Sequence, residues 1–200
     1  MPLQWLRKPQ SWSVPDGASL LIAAGPQTDW FVDPQRSATP KLNAPALLGG
    51  SSGDFLLSAR VTVDFAGTYD AGVLVVYESD EVWAKLCFEY SPQREPMVVS
   101  VVTRGVSDDC NSFVVDGSSV WLRIGKIGSA YAFHASPTAA TGASSGTLHS
   151  RAARRRSASP HKRRWETAVP SRSSRSPTRR RGSATCAAAS RDQPLVCLTA

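Results

Sequence analysis

Val82-Trp83-Ala84-Lys85-Leu86-Cys87-Phe88-Glu89-Tyr90 is the stretch from which the fold is read. Val82, Ala84, Leu86, Phe88 and Tyr90 fall on one side of an extended chain, and Trp83, Lys85, Cys87 and Glu89 on the other. A repeat of two is the signature of a β-strand, because successive side chains of a pleated backbone point to opposite faces. The same alternation runs through Ala59–Phe65, with Ala59, Val61, Val63 and Phe65 against Arg60, Thr62 and Asp64. Each strand is therefore expected to have one core side and one side open to water or a ligand.

Outward from these two, Ser19–Ala24, Asp54–Phe65, Ala71–Tyr77, Met97–Arg104 and Val120–Ile127 are also rich in β-branched and aromatic residues. Turn formers separate them: Gly49-Gly50-Ser51-Ser52-Gly53, Ala66-Gly67, Ser91-Pro92 and Asp116-Gly117. Asp116-Gly117, between Phe113-Val114-Val115 and Val120-Trp121-Leu122, fits a hairpin turn. No segment before residue 135 sustains a 3.6-residue period over three turns. Many strands at regular spacing predict an all-β protein, an antiparallel sandwich or jelly roll.

The net charge of +7 averages two compositions. Residues 1–134 hold 10 Lys+Arg and 14 Asp+Glu, a charge of −4; residues 135–200 hold 13 and 2, a charge of +11. A mildly acidic first part gives nucleic-acid binding no electrostatic support. No basic stretch followed by an apolar run opens the chain, so no signal peptide is expected. Runs such as Leu20-Leu21-Ile22-Ala23-Ala24 are too short to span a membrane. Cys87, Cys110, Cys186 and Cys197 lack metal-ligand spacing and read as reduced thiols of a cytoplasmic protein, Cys87 as a small apolar filler.

Five motifs fall in an order shared with a known family: Thr28-Asp29-Trp30-Phe31, Gly53-Asp54-Phe55, Tyr69-Asp70-Ala71-Gly72, Trp83-Ala84-Lys85 with Glu89, and Val102-Thr103-Arg104 followed by Ser107-Asp108-Asp109. Residues 1–134 thereby resemble the concanavalin A-like domain-of-unknown-function family 1349, whose fungal members are named as regulators of enolase. The resemblance implies a two-sheet concanavalin A-like jelly roll with a concave face, a shape used by lectins and glucanases.

The same family implies, after Tyr131-Ala132-Phe133-His134, an Asp-Gly-x-x-Trp turn and a late strand of alternating Thr, Val and Phe; neither is present. Beyond His134, Ser, Arg, Ala, Thr and Pro dominate, with charge blocks at Arg154-Arg155-Arg156, Arg163-Arg164 and Arg179-Arg180-Arg181. Such a composition buries too little apolar surface to offset chain entropy. Residues 135–200 are expected to be a disordered tail, and the sandwich to be incomplete at its C-terminal strands. A codon frame built from the third base of each codon and the first two of the next permits Asp-Gly-Arg-His-Trp across Pro137–Gly142. In that frame His161–Ser173 permit a stretch ending Cys-Thr-Val-Thr-Phe, and the Trp165–Glu166 junction must encode Gly. The tail therefore reads as out-of-frame translation from a shift near Ala135. A chain missing those strands is expected to fold poorly, because its remaining edges and apolar faces would be uncovered.

The candidate ligand-binding residues are Trp83, Lys85, Glu89, Asp70 and Thr103. Trp83 offers an indole to stack on a sugar ring, and Lys85 and Glu89 offer hydrogen bonds to hydroxyls. The other reading of this row is an exposed strand face carrying a cross-strand ion pair. Asp70 stands either at a cleft rim or as a turn cap. Ser107-Asp108-Asp109 supplies too few oxygens for Ca²⁺ and reads as a solvated turn. No catalytic residue, metal or cofactor is assigned: Glu89 lacks a second acid on its strand, and His134 is the single histidine before residue 135. The function expected is non-catalytic binding of a saccharide or similar polar small molecule. A glycoside hydrolase-like enzyme using Glu89 and a regulatory module with a protein partner are the alternatives. Nucleic acid is expected only as a non-specific partner of the basic tail.

Overall fold

A computed structural model describes residues 3–138 and, as backbone strands, residues 143–149, 184–188 and 198–199. The chain is all-β. Its strands run β1 (Gln4–Arg7), β2 (Ser11–Ser13), β3 (Ser19–Ala23), β4 (Trp30–Phe31), β5 (Lys41–Leu42), β6 (Ala46–Leu48), β7 (Phe55–Val63) and β8 (Ala71–Ser79). There follow β9 (Val82–Tyr90), β10 (Pro96–Arg104), β11 (Ser107–Val114), β12 (Ser119–Ile127), β13 (Ala130–Ser136), β14 (Ala143–His149), β15 (Ala184–Ala188) and β16 (Leu198–Thr199). Six of them match the six segments read from the sequence to within two residues at either end.

Two antiparallel sheets face each other. The five-stranded sheet has the order β11-β10-β9-β8-β16, and the seven-stranded sheet the order β14-β13-β12-β7-β15-β3-β2. β1 with β6 and β4 with β5 make two short ribbons. The core lies between the large sheets, where Leu74, Leu86, Phe88 and Val98 of one meet Ala59, Val61, Val120, Leu122 and Ile124 of the other, all at most 1% exposed. Gly72 marks the closest approach: a Cβ there would lie 2.3 Å from Val61 Cγ1 and 3.0 Å from Val63 Cγ2. The sheets can approach this closely on β8 only because that residue has no side chain.

Three expectations are corrected. Asp116-Gly117 does not close a hairpin: β11 and β12 lie in different sheets, so the turn, with Gly117 at φ +95°, carries the chain across the sandwich. Ser107-Asp108-Asp109 is the start of edge strand β11, paired with β10, rather than a solvated turn. The domain boundary expected at residue 134 falls inside β13, where Ala135 pairs with Leu122 and Ala135 and Ser136 are buried. Residues assigned to the tail also make backbone ladders. β14 pairs with β13, β15 lies between β3 and β7, and β16 lies beside β8. A ladder requires backbone N–H and C=O groups and extended geometry, and Ala, Ser and Thr supply these without the apolar pattern on which the expectation rested. The remainder of the expected tail, including its arginine blocks, lies outside the described residues.

Candidate functional site

The register of β8, β9 and β10 lays the side chains facing away from the second sheet in rows. Tyr77, Trp83 and Thr103 form one row; Val75, Lys85 and Val101 the next; then Val73, Cys87 and Val99; then Ala71, Glu89 and Met97. β11 extends three of them, with Ser107 beside Thr103, Asp109 beside Val101 and Asn111 beside Val99. Trp83, Lys85 and Glu89 thus share one face, as their spacing predicts.

That face is covered. The segment from Asp29 to Leu48 folds over it, led by Trp30, which is 1% exposed. Trp30 packs edge-on against Tyr77 at 5.5 Å and against Trp83 at 5.6 Å between ring centroids. Its Nε1 donates to the Ala44 carbonyl at 3.0 Å, and the Arg7 guanidinium lies 5.3 Å from its ring centroid. Trp83 is 3% exposed, so its indole is not an open stacking platform. Its ring sits under Trp30, and its Nε1 is buried with no hydrogen-bond partner. A donor left in this state costs roughly 1–3 kcal/mol, which an acceptor oxygen would relieve.

The charged part of the face centres on Lys85, which is 7% exposed. Its Nζ donates to Asp29 Oδ1 at 3.0 Å. The same oxygen accepts the Trp30 amide at 2.7 Å, and the Asp29 amide donates to Asn43 Oδ1 at 2.9 Å, so the carboxylate is held by its own loop. Burial works against the charge on Lys85, but the Asp29 carboxylate at hydrogen-bond distance holds the pKa above the ordinary lysine value. Lys85 is an ammonium at any physiological pH. Glu89 responds in the opposite sense. Burial pushes its pKa up to about 7, Lys85 offsets only part of the rise, and Asp29 and Asp109 add to it. Near neutrality this carboxyl divides between a donor form and an acceptor form. Cys87, fully buried between the two, has its thiol pKa raised by burial and fills space as expected.

The remaining candidates have structural partners. Asp70 caps its turn, its Oδ2 accepting from the amides of Ala66 at 2.8 Å and Gly67 at 2.7 Å. Thr103 is fully buried and shares a 2.8 Å hydrogen bond with Ser107 Oγ, which accepts the Val32 amide at 2.9 Å. This pair fastens the covering segment to the sheet. Asp29 and Asp109 are further residues of this site; both lie within the sequence motifs but outside the candidate set. Asp29 adjoins the aromatic that covers the face, and Asp109 sits on a strand taken for a turn. Among the described residues, no group of three His, Cys, Asp or Glu side chains is placed to hold a metal ion.

A family model described as "Protein of unknown function (DUF1349)" matches residues 5–156. Among solved structures, a functionally unknown protein from Saccharomyces cerevisiae is similar over 98% of this chain and 91% of its own, at 17% identity and a TM-score of 0.68. The GH43 BlXynB protein from Bacillus licheniformis is similar over 73% of this chain and 27% of its own, at 16% identity and a TM-score of 0.54. A GH43 glycoside hydrolase engineered for endo-xylanase and exo-arabinofuranosidase activity is similar over 98% of this chain and 37% of its own, at 12% identity and a TM-score of 0.54. At these identities the likeness is one of fold, and it covers 27% of one GH43 protein and 37% of the other. No curated protein matches.

Proposed function

The chain belongs to the DUF1349 family of proteins of unknown function, and from that premise we propose that it is a non-catalytic binding module for a saccharide or similarly hydroxyl-rich small molecule. In this reading the sandwich is a concanavalin A-like jelly roll of a cytoplasmic protein, and the ligand reaches the outer-face row of the five-stranded sheet by displacing part of the Asp29–Leu48 segment that covers it. The observation that carries it is the polar row inside an otherwise apolar, covered face. Lys85 is fixed as a donor, Asp29 as an acceptor, Glu89 titrates near neutrality, and Trp83 Nε1 is buried without an acceptor. A sugar hydroxyl both donates and accepts, so it can answer each of these groups. Trp83 then serves as an N–H donor and not as a stacking surface.

A glycan array tests this with the wild-type chain, Trp83→Phe and Glu89→Gln. Saturable binding to a hydroxyl-rich glycan, weakened in both variants, is expected. An array blank for a folded wild-type protein would refute the proposal. One observation favours the enzymatic alternative: a carboxyl with a pKa near 7 is suited to general-acid chemistry. Release of reducing sugar by the wild type, abolished in Glu89→Gln, would select that reading.

A further inference from the structure

A second site lies between the sheets. At the end of the sandwich where β8 and β10 finish and β7 begins, the sheets part around a cavity of about 210 Å³. Val76, Ala84 and Val102 wall it from the five-stranded sheet, and Phe55, Leu57 and Tyr131 from the seven-stranded sheet. These are inward-facing positions, continuous with the rows that hold Leu86 and Phe88 in the core. The interior of a sandwich is normally filled at such positions, and a void forfeits contacts on every wall. Phe55, Val76, Val102 and Tyr131 are only partly buried against the core. The Phe55 and Tyr131 rings stand edge to face at 6.3 Å.

The lining indicates what would fill it. Mostly apolar walls favour an apolar guest, as an enclosed cavity of roughly 150 Å³ lined by Leu, Ile and Phe takes up benzene; here the space opens to solvent at one end. The present space is larger, which suits two fused rings. Polar groups gather at the mouth, where Glu78 and Arg104 join the lining. Glu78 is close enough to Tyr131 to raise the phenol pKa together with burial. We infer that this cavity binds a small one- or two-ring aromatic molecule, its ring body between the sheets and a hydroxyl or similar substituent at the Glu78 and Arg104 end. The cavity is reached from the inward side of β9, and Val75, Tyr77, Trp83 and Thr103 of the outer-face rows also border it.

The test uses the full chain and 2-naphthol, a neutral two-ring probe with one hydroxyl. Isothermal titration should show one saturable site. Ala84→Phe and Val102→Phe, which place a ring in the cavity, should each weaken binding roughly tenfold or more. Should either variant fail to fold, nuclear Overhauser contacts from 2-naphthol to Phe55 and Tyr131 in the wild type decide the matter; their presence supports the site. Absence of saturable binding up to about 1 mM, contacts mapping elsewhere, or undiminished affinity in both folded variants would overturn it.

Discussion

On β7 the side chains that face away from the partner sheet are Leu56, Ser58, Arg60 and Thr62, and they range from half-buried to exposed. On β9 the corresponding side chains are Trp83, Lys85, Cys87 and Glu89, and the first three are buried. Both strands alternate in the same way, so from sequence both are expected to offer one face to water. They differ because Asp29–Leu48 folds over β9, fixed there by Trp30 and by the Thr103–Ser107–Val32 hydrogen bonds. A polar side chain on an uncovered face keeps its water. Under a covering segment it must find a partner or change its charge. Lys85 finds Asp29, and Glu89 shifts toward its neutral form.

Four predictions probe this contrast. The largest effect is expected for Trp83→Ala, which empties the space beneath Trp30 and should cost about 3–5 kcal/mol in chemical denaturation. A loss below about 1 kcal/mol would mean that the face is open. Next is Asp29→Ala, which leaves the Lys85 ammonium buried without its carboxylate. Breaking a fully buried pair costs about 3–5 kcal/mol; with the Asp29 side chain 34% exposed, about 2–3 kcal/mol is expected. Lys85→Met, which removes the buried charge, should restore part of this loss in the double variant.

The third concerns pH. The folded pKa of Glu89 is about 7 against an ordinary 4.5, so the folded state holds a proton that the unfolded state has released between those values. Its contribution to stability is fully present below about pH 4.5, declines as pH rises, and is lost above about pH 7. Glu89→Gln removes this dependence and should gain on the order of 2–3 kcal/mol over the wild type at pH 8 relative to pH 4. Parallel pH–stability curves for the two proteins would contradict it. The smallest effect is expected on the uncovered face: Arg60→Ala should stay within about 0.5 kcal/mol of the wild type.

The core was legible in the sequence because its strands announce themselves by period and by β-branched residues. The registers of β8, β9 and β10 agree with that reading residue by residue in the rows through Trp83, Lys85 and Glu89. Less legible were the strands whose formation is set by their neighbours. β1 and β2 are short. β11 is an exposed edge strand whose Asp108, Asp109 and Asn111 carry no apolar pattern. β14 and β15 are ladders of mostly small residues. The site was half legible. Spacing placed Trp83, Lys85 and Glu89 together, but no local signal in Asp29-Trp30 tells that Trp30 returns across 53 positions to cover Trp83. Asp70 reads equally as a rim acid or a cap until its contacts with Ala66 and Gly67 are known. The out-of-frame origin of the tail is a separate proposal about the DNA. Resequencing that finds no Asp-Gly-x-x-Trp run in the alternative frame would remove it.

The claim on which the rest depends is that the outer face of the five-stranded sheet is a covered, water-poor surface holding charge. Carbon-detected magnetic resonance of the Glu89 carboxyl, followed from pH 3 to pH 9, reads this directly. A midpoint near 7 is expected, moving further upward in Lys85→Met as the compensating ammonium is lost. A midpoint at the ordinary glutamate value of 4.5, unchanged in that variant, would contradict it.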